Sequence, residues 1–199
     1  MMGPDEARVK SYLKNCALTV ERFSKAETRA GKTPDFRVFQ NGEFLAYCEV
    51  KSSPKDQWLD DKLDNAAPGE LVGGARSDPI FNRLTNDIHE AMKQFDAVNE
   101  GQKHPNILAL VNHDNACGFN DLLAILTGNF YAKDGMVHPI YGQFSDGRIK
   151  YEKEKVHLFI WLDDHKPKRW LLNGPDEAHR ATLCAAFGFG PDEIKIIGH

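Results

Sequence analysis

Residues 34–51 read PDFRVFQNGEFLAYCEVK, and the reading of this stretch decides the fold. Phe36-Arg37-Val38-Phe39 and the run Phe44 to Val50 are rich in aromatic and β-branched residues, the types that suit a pleated, half-buried surface. Between them Asn41-Gly42 supplies two residues that tolerate positive φ, so the stretch predicts a β-hairpin. Asp35 opens its first strand, Glu49-Val50-Lys51 closes its second, and 49 − 35 = 14 positions separate the two acids.

The geometry of the turn decides whether those acids meet. With a loop of Asn41-Gly42 alone, Gln40 pairs with Glu43 and Asp35 faces Cys48, and strand alternation then sends Glu49 through the opposite face of the sheet. With a loop of Gln40-Asn41-Gly42 and a bulge at Gly42, Asp35 lies opposite Tyr47, and Asp35, Glu49 and Lys51 share one face. Two carboxylates so close repel each other, and a hard divalent cation, Mg2+ first and Mn2+ as a substitute, relieves that repulsion. Such a cation polarises a phosphodiester and lowers the pKa of a bound water, and Lys51, two residues beyond Glu49, is placed to orient that water. The expected chemistry is phosphodiester hydrolysis.

Outward from the hairpin, Val9, Tyr12, Leu13 and Cys16 recur at helical spacing behind Pro4, Asp5 and Glu6, which predicts a helix from Pro4 to about Asn15. Leu18 to Phe23 alternates as a half-buried strand does, and Lys25 to Lys32 reads as a polar loop. Residues 52–77 carry Pro54, Pro68 and several glycines, and are expected to form a long functional loop or lid without regular structure. Asp78 is placed to cap a helix with Pro79 in its first turn, along which Ile80, Leu84, Ile88, Ala91, Phe95 and Val98 step by three and four. Ile107 to Val111 is a continuous apolar run, as expected for a strand covered on both faces. Further on, a helix is expected near Phe119 to Leu126, a turn at Asp146-Gly147, a strand at Val156 to Leu162 and a capped helix near Pro175 to Phe187.

Pro34-Asp35 followed by Glu49-Val50-Lys51 at the end of the next strand resembles the PD-(D/E)XK nucleases, the superfamily of restriction endonucleases and Holliday-junction resolvases. The resemblance covers residues 4–112 and implies an α/β fold with a restriction endonuclease-like αβββαβ core, a mixed sheet flanked by helices. Residues 113–199 are then a C-terminal α/β extension packed on that core, within one domain of 1–199. By the same resemblance, Asp35, Glu49 and the Val50 carbonyl bind Mg2+, Lys51 is catalytic, and Glu6 on the first helix is an auxiliary acid. Some family members carry a Gln followed four residues later by Tyr on the second helix; here Gln94 is followed by Val98, a departure from the pattern. Arg83, Asp87 and Gln94 border the apolar face of that helix, where they could reach a phosphate or position an acid, and a solvated polar edge is their expected role.

The 199 residues suffice for one sizeable core. No apolar run approaches the roughly 20 residues of a membrane span, and the first thirty residues lack the pattern of a secretion signal, so a cytoplasmic protein is expected. The scattered Cys16, Cys48, Cys117 and Cys184 suggest reduced thiols rather than a zinc knuckle or disulfide framework. A net charge of −4 weighs against a simple nucleic-acid-coating protein, so DNA, the expected partner, must be held by a local patch or by metal. His165-Lys166-Pro167-Lys168-Arg169 is one such basic cluster. His113-Asp114 reads as a polar turn, His89 as a surface histidine, and Trp58, Trp161 and Trp170 as packing residues. A homodimer is compatible with cleavage of both strands, although the sequence names no dimer surface. Two rivals stand beside a nuclease: an inactive nuclease-like fold that binds nucleic acid or protein, and a small-molecule- or partner-binding protein that uses the 52–77 loop and the C-terminal extension over the same sheet edge.

Overall fold

A computed structural model describes residues 2–55, 58–74, 79–164 and 168–189. In chain order the elements are α1 (Pro4–Asn15), β1 (Thr19–Arg22), α2 (Lys25–Ala30), β2 (Phe36–Gln40), β3 (Glu43–Ser52), α3 (Trp58–Asp64), α4 (Ile80–Val98), β4 (Asn106–Asn112), α5 (Phe119–Thr127), β5 (Asn129–Tyr131), β6 (Val137–Pro139), β7 (Leu158–Asp163), β8 (Arg169–Leu172) and α6 (Glu177–Phe187), with short 3-10 turns between some of them.

Six strands form one mixed sheet in the order β1-β2-β3-β4-β7-β8. The first three run antiparallel, β3, β4 and β7 run parallel, and β8 returns antiparallel at the far edge. Every residue of β4 is buried, as its unbroken apolar sequence requires of a central strand with both faces covered. On one face α1 and α6 bury Val9, Leu13, Leu183 and Ala186 against Phe36, Cys48, Ile107 and Ile160. On the other, α4 and α5 bury Leu84, Ile88, Phe95, Leu122 and Ile125 against Leu108, Leu110, Phe159 and Trp161. The chain is therefore α/β, a mixed sheet flanked by helices, and β7 and β8 extend the same sheet beyond β4.

The hairpin differs from both registers considered for it. Its loop is Asn41-Gly42, both residues at positive φ, which is the twist-compatible two-residue turn, and Gln40 pairs with Glu43. The compensating bulge lies within β3: Phe39 pairs with Phe44, and Val38 pairs with Ala46, so Leu45 is the extra residue. Phe36 consequently pairs with Cys48, and continuing the register by one step sets Asp35 against Glu49. The bulge moves downstream from the turn, yet the parity of the strand comes out the same, and the two acids share a face.

Several expected loops contain regular structure among the described residues. Residues 25–30 form α2, stabilised by a capping box in which the Ser24 hydroxyl accepts from the Glu27 N–H while the Glu27 carboxylate accepts from the Ser24 N–H. The region expected as a featureless 52–77 loop contains α3, and β5 and β6 pair as a small separate hairpin. The capping residue expected at Asp78 and the His165-Lys166-Pro167 part of the basic cluster lie outside the described residues. Helix α4 begins at Ile80 behind Pro79, and α6 begins at Glu177, where the Asp176 carboxylate accepts from the His179 N–H. All four cysteines are free thiols, and among the described residues no helix is long and apolar enough to cross a membrane.

Candidate active site

Tyr47, Glu49 and Lys51 alternate along β3 onto the face covered by α4, whereas Ala46, Cys48 and Val50 pack toward α1. Asp35 precedes β2 and reaches the same point from the neighbouring strand. Its backbone N–H donates to Glu49 Oε2 at 3.1 Å, and its Oδ2 accepts from the Val50 N–H at 2.9 Å. These reciprocal contacts fasten the end of β2 to the end of β3 and hold the two carboxyl groups side by side. Lys51 then donates from Nζ to Glu49 Oε1 at 2.7 Å and to Gln94 Oε1 at 3.1 Å. Gln94, on α4, in turn donates from Nε2 to the Thr33 carbonyl at 3.3 Å. One side chain of α4 thus aims the lysine and steadies the segment that leads into Asp35.

Glu49 is only 2% exposed. Burial is the largest influence on its carboxyl, the negative charge of Asp35 adds to it, and Lys51 opposes both; the result pushes its pKa up from 4.5 to about 7. The Cys48 thiol behind the pair is raised well above its ordinary value, by burial first and then by the charges of Asp35 and Glu49. An acid that gives up its proton near neutrality, beside a second acid and an ammonium, is a group whose environment disfavours its charge until a further cation arrives.

Among the described residues no group of three or more His, Cys, Asp or Glu side chains gathers as a metal cage. The donor set at this point is smaller: the carboxylates of Asp35 and Glu49, joined by whatever backbone carbonyl and solvent oxygens complete a shell. That is the donor chemistry of a magnesium site, which commonly takes one or two carboxylates and keeps several waters. Two acids side by side, one of them buried, are compatible with such an ion.

The remaining expected residues are placed as follows. Glu6 pairs with Arg22 at 3.1 Å, and its Oε2 accepts from the Gly3 N–H of its own helix cap; no hydrogen bond links it to Asp35 or Glu49. Arg83 is not a solvated edge: its Nη2 lies 2.7 Å from Asp114 Oδ2 in a pair that is 9% and 0% exposed. Asp114 therefore turns away from its neighbour His113, whose ring nitrogens face Asp5 and Asp164 instead. Trp161 is buried beneath Phe119, Trp170 stacks on Phe189, and the side chain of Trp58 lies outside the described residues. Gln94 is the participant that sequence reading set aside. Its place on the border of the apolar stripe of α4 was the available signal, and only the crossing of α4 over β3 shows that it meets Lys51.

Set against protein-family models, curated proteins and solved structures, the chain gives no significant match.

Proposed function

We propose that this protein is a nuclease of the PD-(D/E)XK kind, hydrolysing phosphodiester bonds in DNA with the help of Mg2+ or Mn2+. The observation that carries the reading is the convergence of Asp35, Glu49 and Lys51 on one face of the hairpin, joined by hydrogen bonds of 2.7 to 3.1 Å. The order α1, β1, β2, β3, α4, β4, interrupted by the short helices α2 and α3, with β3 and β4 parallel, supports a restriction endonuclease-like core.

Asp35, Glu49 and the Val50 carbonyl are the residues that would hold the cation. A divalent cation held by them would supply polarisation of the phosphodiester and a lowered pKa for a water. Glu49 Oε1 and Gln94 Oε1 both accept from the Lys51 ammonium, which holds it in place and leaves one proton for an attacking water. Glu49 would ligate as a carboxylate, so the cation competes with its proton, and activity at sub-saturating cation is expected to rise with pH. Glu6 serves as an auxiliary acid only if its side chain leaves Arg22. A cytoplasmic setting and a homodimer presenting two sites to two strands complete the proposal.

The test is cleavage of labelled single-stranded, duplex and branched DNA by wild type, Asp35→Asn and Lys51→Ala, with and without Mg2+ or Mn2+. Cation-dependent cleavage that falls by about 10²-fold or more in both variants is the expected result. Cation binding with no cleavage of any substrate would point instead to an inactive nuclease-like binding module. Cleavage that survives Lys51→Ala would remove the lysine from the mechanism.

A further inference from the structure

A groove of about 690 Å³ opens beside Lys51, walled by Thr28 and Arg29 at the end of α2, by Gly31, Lys32 and Thr33, and by Glu90 and Gln94 of α4. Lys51 is paired with Glu49, and the outer part of the groove sets Arg29 and Lys32 against one acid, Glu90, which is engaged by Lys93 and by Lys32 at 3.7 Å. On a chain whose net charge is −4, this outer part carries a local positive excess. Arg29 and Lys32 are exposed, and Arg29 makes no ion pair among the described residues.

The wall itself is unusual in what holds it. Helix α2 buries none of its residues, so no hydrophobic gain explains why it is there. Polar contacts fix it: the Ser24–Glu27 capping box, the pairing of Glu27 with Arg37 of β2, and the stacking of that guanidinium 3.8 Å over the Phe23 ring. The Arg37 contact, first among several, holds the Glu27 carboxyl down at about 2, so the tether stays charged at any ordinary pH. A short helix tied to β2 through Arg37, burying nothing and leading into Gly31 and Lys32, presents its cations to the groove.

We infer that this groove is a phosphodiester-strand subsite, in which Arg29 and Lys32 hold backbone phosphates adjacent to the one that lies at Lys51. The inference rests on the nuclease reading for its substrate, but its binding contacts are separate from hydrolysis. Arg29 offers a planar fork of donors that matches phosphate oxygens, and Lys32 a point charge that can exchange Glu90 for a phosphate. Neither contact reads base edges, so the subsite contributes affinity and path rather than sequence preference.

The experiment measures binding of short labelled single-stranded DNA, duplex DNA and single-stranded RNA by fluorescence anisotropy in Ca2+ across a salt series. Wild type is compared with Arg29→Glu/Lys32→Glu and with Lys10→Glu/Lys14→Glu, which makes the same net-charge change on α1, across the sheet. Because α2 buries nothing, the reversal leaves the fold intact, which circular dichroism and thermal unfolding verify. The expected result is a loss of about tenfold or more in affinity for the α2 variant, with the slope of log K against log salt shallower by about 1.4 on single strands. The α1 control stays within about twofold of wild type. Equal binding by the α2 variant and the control, or no binding of any oligonucleotide by wild type, overturns the subsite. Binding by wild type without cleavage under Mg2+ overturns hydrolysis alone, and the comparison of variants still decides the groove.

Discussion

Burial of Glu49 against Asp35 moves its titration from 4.5 to about 7, and this has a consequence for stability that runs opposite to an ordinary salt-bridged acid. For an acid whose folded value is raised, the stabilising contribution of the protonated form is complete below the unfolded value of 4.5 and is lost as pH rises through about 7. At 1.36 kcal/mol per decade, the span from 4.5 to about 7 corresponds to about 3 kcal/mol. Glu49→Gln, which keeps an acceptor for Lys51 and carries no charge, is therefore expected to match wild type in urea unfolding near pH 4.5. By pH 8 in metal-free buffer it should exceed wild type, by up to about 3 kcal/mol. Equal stabilities at pH 8 would mean that the carboxylate is not penalised. Asp35→Asn removes the neighbouring charge and is expected to shift the inflection of the wild-type curve to lower pH.

The elements meet at a second titrating group. His113, just beyond β4, places Nε2 3.0 Å from Asp5 of α1 and Nδ1 3.1 Å from Asp164 beyond β7; Arg8 of α1 also binds Asp164, at 2.6 Å. A neutral imidazole has a single N–H and can donate to only one of these acids, so satisfying both requires the imidazolium. Partial burial lowers the pKa of His113, but the hydrogen bonds to Asp164 and Asp5 outweigh it and the net shift is upward. The clamp on α1 is thus complete below 6.5 and weakens as pH rises through the higher folded value. His113→Gln is expected to cost at most about 1 kcal/mol at pH 5.5, as suits a partly exposed pair, and progressively less toward pH 9. A cost that grows with pH would refute the clamp.

Much at this scale was legible in the sequence, and the omissions have physical causes. The helical spacing of Val9, Tyr12 and Leu13, the Asn41-Gly42 turn and the apolar run at β4 each correspond to an observed element. The position of the bulge was not legible, because Leu45 sits inside the apolar run Phe44-Leu45-Ala46 and nothing marks it as the unpaired residue. Helix α2 left no periodicity because it buries nothing, and its one signature was the spacing of Ser24 and Glu27. The short β8 escaped notice because four residues, Arg169 to Leu172, carry too little pattern to separate from the basic loop before them. At the site, the shared face of Asp35, Glu49 and Lys51 depended on strand parity and was readable as one of two alternatives. The Lys51–Gln94 contact depended on how α4 crosses the sheet, which no local pattern encodes.

At the scale of the molecule, two apolar layers hold the sheet rigid under the site. Phe95 is fully buried at the centre of the layer beneath α4, one residue from Gln94. Phe95→Ala is expected to cost about 3–5 kcal/mol, a large share of a typical domain's 5–15 kcal/mol, and to lower the midpoint of urea unfolding accordingly. A loss under about 1 kcal/mol would show that α4 is not held by this layer. The measurement that bears most directly on the central claim is calorimetric titration of Mg2+ or Mn2+ into wild type and Glu49→Gln at pH 6 and pH 8, in buffers of different ionisation enthalpy. Binding by wild type, abolished or strongly weakened in Glu49→Gln, with release of about one proton at pH 6 and almost none at pH 8, is the expected result. No cation binding by wild type at either pH, or binding unaffected by Glu49→Gln, would contradict the assignment of Asp35 and Glu49 as a divalent-cation site.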